Sequence, residues 1–293
     1  MHRFFYAAFM LVSFSLIASA NDRSATMTTS KDMPFKAGGT FYIIAEFQNV
    51  VVKVEPRADI KIDIRMEITA FDPKYRLQAY VPTFVEYGQR EYVFVNDMKH
   101  RAEPDRALDP KALPNYCVAE VNPGYYGTVT VLMPPGMNLW AVTSSGRCTL
   151  KGDLGNTSVR FQTNTGRISI EGAADDVDVQ TNFEDINLAF TRTVKTLHGA
   201  LDKGKLSIDG VAQDIKVAAN SANVRMIVPR DLVLSGTLRA NPGTVSSELP
   251  PKDREGDHLF TYEGQNADCH LDITAQNGSI TLKVGQYVLY HHT

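Results

Sequence analysis

Along residues 142–188 apolar and polar positions alternate in runs of four or five, separated by Asn, Asp, Gly and Ser turns. Alternation at period two places Cys148 and Leu150, Ile168 and Ile170, and Ile186 and Leu188 on one face of successive short strands, with Arg, Lys, Thr, Ser or Asn between them on the other. Strands this short are not stable alone. They recur, however. Gly146, Gly166 and Glu184 hold equivalent slots, and the register continues to Gly204, Ala222, Gly243 and Gly278, at successive intervals of 20, 18, 20, 18, 21 and 35 residues. A second short strand stands in most units, at 159–161, 177–179, 215–217, 232–234 and 271–273.

Two strands per unit of about 20 residues, repeated, predict rungs that bury their apolar faces on one another. The expected fold is therefore all-β, a parallel, β-helix-like β-solenoid over 141–284. A sandwich or barrel also has many short strands, but those need not resemble one another at a fixed interval. No segment shows the periodicity and caps of a long helix.

Ahead of the repeats, 40–47, 50–54 and 60–68 read as strands. In the last, Ile60, Ile62, Ile64, Met66 and Ile68 alternate with charged residues, so one face is buried and one is wet. The 126–133 run is another strand, ending at Pro134-Pro135-Gly136. Residues 35–140 are thus expected to form an N-terminal β region capping the solenoid. It is interrupted by an irregular insertion at 71–115, where 91–95 reads as a strand and 99–116, with Pro104, Pro110 and Pro114, as an extended surface loop. Residues 285–293 form a tail.

Residues 1–20 carry a short basic start (His2, Arg3), an apolar run and a small-residue end at Ala18-Ser19-Ala20, the pattern of a secretory signal peptide cut before Asn21. The polar, Ser/Thr-rich stretch 21–34 has no periodicity and reads as a flexible lead. No later run is long and apolar enough for a helical span. These features predict an exported protein, periplasmic or at the cell surface. The net charge of −3, with both signs interspersed and no Lys/Arg block, argues against nucleic acid and anionic lipid as partners.

Three cysteines, Cys117, Cys148 and Cys269, permit one disulfide and one free thiol. Cys148 occupies an inward slot otherwise held by Ile, Leu or Val and reads as a small buried hydrophobe. That leaves Cys117 with Cys269 as the expected pair.

Chemistry is thinly signalled. Asp175, Asp176 and Asp178, with Glu184 and Asp185 one rung later, resemble the carboxylate sets of polysaccharide-cleaving enzymes, since carboxylates two rungs of about 4.8 Å apart approach the spacing of inverting hydrolysis. Their position in turns gives a second reason for Asp, its side-chain bonds to nearby backbone. Asp268, Cys269, His270 and Asp272 lie on one strand whose alternate residues face opposite sides, so no chelating set is expected. The histidines show no metal-ligand spacing, and no nucleophile elbow, P-loop or dinucleotide fingerprint is present. Arg147, Arg167, Thr163, Ser169, Asn187 and Ser207 are expected on the wet face, as ladders able to meet carbohydrate or protein.

The strand ending in Pro-x-Gly and the units TSSGRCTL (143–150), TNTGRISI (163–170) and AQNGSITL (275–282) resemble the bacterial putative-adhesin family, exported β-solenoid domains of unknown function related to the head domain of autotransporter adhesins. The likeness covers roughly residues 36–284. It departs where Glu184-Asp185 and Ala222-Asn223 replace the usual turn, and at the 71–115 insertion. The resemblance implies a surface or periplasmic location and an adhesive or scaffolding role, and transfers no catalytic residues. The expected function is therefore a non-catalytic, cofactor-free binding or scaffolding module of the cell envelope. A polysaccharide-active enzyme using Asp175, Asp176 or Asp185 and an envelope-stress sensor binding a partner protein are the alternatives.

Overall fold

The computed structural model describes residues 15–18, 24–35, 37–45, 48–69, 84–87, 91–96 and 125–285, and no helix occurs among them. Twenty-two strands join one continuous, open and mostly parallel sheet. Within it the pairing follows two series. In the first, β3 (Thr40–Ala45), β9 (Asn138–Thr143), β11 (Ser158–Thr163) and β13 (Asp176–Thr181) run parallel and in register. The series continues through the first half of β15 (Val194–Asp209) and of β16 (Ala212–Val228) to β21 (Cys269–Ala275) and β17 (Leu234–Ala240).

In the second series β4 (Gln48–Val54), β10 (Cys148–Asp153), β12 (Ile168–Ala173) and β14 (Ile186–Phe190) lead into the second halves of β15 and β16. It ends on β22 (Ile280–Val284) and β18 (Val245–Ser247). Each rung therefore gives one strand, or half of a long one, to each series. A Cβ added to Gly199 of the first series would lie 3.4 Å from Leu206 of the second, so the inward faces meet across one shared core. Period-two alternation feeds that core from both sides, with rows such as Cys148, Ile168, Ile186, Leu206 and Val224 fully buried.

The corner between the two series is made by a short Thr-x-x-Gly turn. Thr143, Thr163 and Thr181 point inward, each no more than 3% exposed, and the Thr143 and Thr163 hydroxyls accept the amides of Gly146 and Gly166 at 2.9 Å. Thr163 thus belongs to the core side of the corner and not to the wet face where sequence places it. A buried hydroxyl is tolerated there because the turn would otherwise leave an amide without a partner. Glycine is required by close approach: a Cβ on Gly166 would sit 1.9 Å from the Gly146 carbonyl oxygen, and one on Gly146 would sit 1.7 Å from that of Gln48.

Rung order departs from chain order at both ends. The rung of β21 and β22 is inserted between β16 and the earlier rung of β17 and β18, so Gly278 stacks on Ala222, and Gly243 on Gly278. The 35-residue interval before Gly278 is explained by this return path. It includes β20 (Leu259–Glu263), antiparallel to both β17 and β19 (Asp253–Glu255). At the other end β3 and β4 lie between the β9/β10 rung and β7 (Glu91–Asn96) with β8 (Tyr125–Met133). Among the described residues antiparallel pairs occur only towards the ends, where they cover edges that a parallel stack leaves open.

One of these covers corrects the reading of 21–34 as a flexible lead. Ser24–Pro34 is an 11-residue strand, β2, paired along its whole length with β5 (Asp59–Thr69), which itself pairs with β8. The inward Ile60, Ile62 and Ile64 of β5 hold that sheet to the core, and its outer edge accepts a Thr-rich strand whose Met33 is also buried. Ser15–Ala18, inside the stretch read as an export signal, forms β1 antiparallel to β2. Of the 71–115 insertion, the described residues show β6 (Phe84–Tyr87) in a hairpin with β7. The 99–116 loop, Cys117 and residues 286–293 lie outside the described residues.

Cys148 and Cys269 are both buried and free, so the pairing expected of Cys117 with Cys269 is not made. Burial pushes both thiols up to about 12, with Asp214 and Asp268 adding to the effect at Cys269. Cys148 acts as the small core hydrophobe its slot implies.

Candidate functional site

Outward residues of the first series form rows that run along the stack. One row passes through Tyr42, Trp140, Arg160, Asp178, His198, Lys216 and Asp272. At its start the rings of Tyr42 and Trp140 lie 5.2 Å apart, Arg160 sits 4.7 Å over Trp140, and the same guanidinium meets Asp178 at 3.2 Å. The adjacent row passes through Val142, Gln162, Gln180, Ala200, Ala218 and Thr274, and Gln162 donates to Gln180 at 3.3 Å. A third runs along the corner, where Asn182 donates to Asn164 at 2.8 Å and Asn220 to Asp202 at 2.6 Å.

Where the middle row shrinks to Ala200 and Ala218, a trough opens. Two adjoining hollows of about 280 and 270 Å³ share Ala200, Ala218 and Thr274, and both extend across β13, β15, β16 and β21. One wall carries Asp178, His198, Lys216 and Asp272, the other Asn182, Asp202, Asn220 and Gln276, and Gln180 stands at one end of the floor. Small outward residues here are a consequence of sequence alone, since the backbone of all four strands is paired on both sides.

The carboxylates read as catalytic candidates are held in other ways. Asp175, 6% exposed, lies just ahead of β13 and receives Lys195 at 2.7 Å and Arg192 at 3.0 Å. Arg192 also donates to Asp153 at 2.9 Å and to the Gly155 carbonyl at 2.7 Å, tying three successive connections together. The Lys195 ammonium holds the Asp175 carboxyl below the usual carboxylate range, against the opposing effect of burial and with help from Arg192. Asp176 accepts from Thr196 at 2.7 Å, and Asp178 is paired with Arg160. Beyond the end of β13, Asp185 accepts the Lys205 amide at 3.1 Å and faces Arg167 at 3.5 Å, while Glu184 is exposed. A whole strand separates Asp175 from Asp185, and the set does not converge on one point.

Along β21, Cys269 faces the core, whereas His270 and Asp272 face out and Asp268 accepts the Val233 amide at 3.0 Å. Among the described residues no group of three or more His, Cys, Asp or Glu is placed to hold a metal ion. The expected polar ladder divides between two places. Ser169, Asn187 and Ser207 line up on the outer face of the second series, where a hollow of about 300 Å³ opens over Ala189, whereas Arg147 and Arg167 stand exposed at the corner. Gln162, Gln180, Ala200 and Ala218 recur in register at the outward slot beside each inward corner position, a signal of the trough present in the sequence but carried by the shortness of two side chains.

No protein-family model and no curated protein matches the chain. Two solved structures show a distant likeness. A "putative cell adhesion protein" from Clostridium sporogenes is 8% identical with a TM-score of 0.36, over 88% of this chain and 100% of that one. A "putative lipid binding protein" from Parabacteroides distasonis is 8% identical with a TM-score of 0.39, over 87% of this chain and 96% of that one. At that degree of likeness each role stays with its own protein.

Proposed function

We propose that this chain is a β-solenoid of the bacterial cell envelope or surface that works without catalysis, as a binding module presented on a rigid stack. The observation that carries this reading is the trough over Ala200 and Ala218, set on strands whose backbone is fully paired and whose other side faces the core. A preformed concave surface with polar walls on a scaffold of this kind is suited to recognition. The carboxylates with catalytic potential support it from the other side, because Asp175, Asp176, Asp178 and Asp185 are each engaged by a cation, a hydroxyl or a backbone amide. The signal-like pattern of residues 1–20 supports the envelope location.

The test is a pull-down with the protein lacking residues 1–20, immobilised and exposed to envelope fractions and to whole bacterial cells. Specific retention of envelope material is expected, and its absence overturns the reading. The enzyme alternative is checked on the same preparations by reducing-end and unsaturated-product assays. No turnover is expected, and product formation that Asp175→Asn or Asp185→Asn abolishes would replace the binding reading with the enzyme.

A further inference from the structure

The trough has a chemistry specific enough to name a ligand class. Resting on the binding reading above, we infer that it holds a linear glycan without negative charge, laid along the stack axis across β13, β15, β16 and β21.

Its shape comes first. Paired strands are about 4.8 Å apart, so a furrow across four of them is roughly 14 Å long, room for a few sugar rings in a row. The methyl groups of Ala200 and Ala218 floor the furrow where it is continuous, and they offer the apolar surface on which the C–H face of a pyranose rests.

The walls come second. Asn220 and Gln276 on one wall, with Gln180 at the end of the floor, present amide groups, each able to donate and to accept, which is what neighbouring hydroxyls on a sugar require. Opposite them, the side chains of His198, Lys216 and Asp272 make no hydrogen bond or ion pair among the described residues, although every other member of their row from Tyr42 to Asp178 is engaged with a neighbour. Polar groups thus stand unpartnered where the row borders the hollow.

Charge decides between glycan classes. With Asp178 already paired with Arg160, the lining sets Asp202 and Asp272 against the single cation Lys216, so a phosphorylated, sulfated or uronate polymer would meet net repulsion. An extended peptide is disfavoured for a separate reason. Peptides that dock on sheets do so by adding to a free edge, and all four strands under the trough are paired on both sides.

The experiment is calorimetric titration of the protein lacking residues 1–20 with cellohexaose, maltohexaose and N-acetylchitohexaose. Oligogalacturonate is the anionic arm and an unstructured Ser/Thr-rich peptide the peptide arm. At least one uncharged hexasaccharide is expected to bind, with the anionic and peptide arms silent. Ala218→Trp, which fills the trough from an exposed position, is expected to weaken binding about tenfold or more, and Asp272→Ala to weaken it measurably. Ala189→Trp, exposed on the outer face of the second series, leaves it unchanged. Tighter binding of oligogalacturonate or peptide, or wild-type affinity in both trough variants, would overturn the assignment. If no hexasaccharide binds while the pull-down still retains envelope material, the glycan inference falls and the binding reading stands. If both are negative, both fall.

Discussion

Gln162 and Thr163 are neighbours in sequence and belong to two different regions of the molecule. Thr163 faces inward at the corner between the two series of strands, where its hydroxyl takes the Gly166 amide. Gln162 faces outward in the row that leads to the trough. The corner is fixed by backbone: its carbonyls stand less than 2 Å from where a Cβ on Gly146 or Gly166 would be, and its buried amides are satisfied by specific hydroxyls. The trough, by contrast, is fixed only by what its outward side chains happen to be. The lesson is that period-two alternation separates the residues that build the stack from those free to specialise it, position by position along the same strand.

The sharpest way to test that separation is at the corner. Gly166→Ala is expected to lower unfolding free energy by about 3 kcal/mol or more in urea melts, because the colliding atom is a backbone carbonyl that cannot turn aside. A loss under about 1 kcal/mol would mean that the rungs can slide apart locally and that the corner is not rigid.

Next in size is the staple on the opposite side of the rungs. Asp175→Asn is expected to cost about 1–3 kcal/mol at neutral pH through its part-buried contact with Arg192, Lys195 being too exposed to add much. The pH dependence has a definite sign. The carboxyl of Asp175 is lowered in the folded protein, so its stabilisation is complete above the ordinary Asp value of about 3.9 and disappears as pH falls through the lowered one. Wild type and Asp175→Asn should therefore differ by a constant amount from about pH 5 upward and converge in strong acid. A difference that grows with acidity would contradict the ion-pair account.

Thr163→Val keeps shape but strips the acceptor from a buried amide, for an expected loss of about 1–2 kcal/mol, with Thr163→Ser milder. The smallest stability change belongs to the outer face. Ala218→Trp should alter unfolding by no more than about 0.5 kcal/mol, since the side chain points into solvent. If Ala218→Trp destabilises as much as Gly166→Ala, outward positions are not free and the comparison fails.

Much of the stack could be read in the sequence, because burial repeats with the strand period. The inward rows, the two strands per unit, the corner glycines and the core role of Cys148 all follow from it. What periodicity does not encode is which edge a rung joins, and so the insertion of Gly278 between Ala222 and Gly243 was not foreseeable from spacing alone. Polarity misled in two places. Thr163 is inside because a backbone amide needs it, and the Thr-rich β2 is a strand because the open edge of β5 supplies the hydrogen bonds its composition does not advertise. Asp175 reads in sequence as a free carboxylate, yet its partners Arg192 and Lys195 stand about one repeat later, at the interval that brings successive connections together. The trough is made by short side chains, which carry no reactive group and leave no mark in the pattern of polar and apolar positions.

The most direct measurement combines both regions in one experiment: urea unfolding and uncharged-glycan titration of Gly166→Ala and Ala218→Trp side by side. The account predicts a double dissociation, with Gly166→Ala losing stability while binding near wild-type affinity in native buffer, and Ala218→Trp keeping stability while losing about tenfold or more in affinity. Loss of both properties together in either variant would contradict it, by showing that scaffold and recognition surface are not separable.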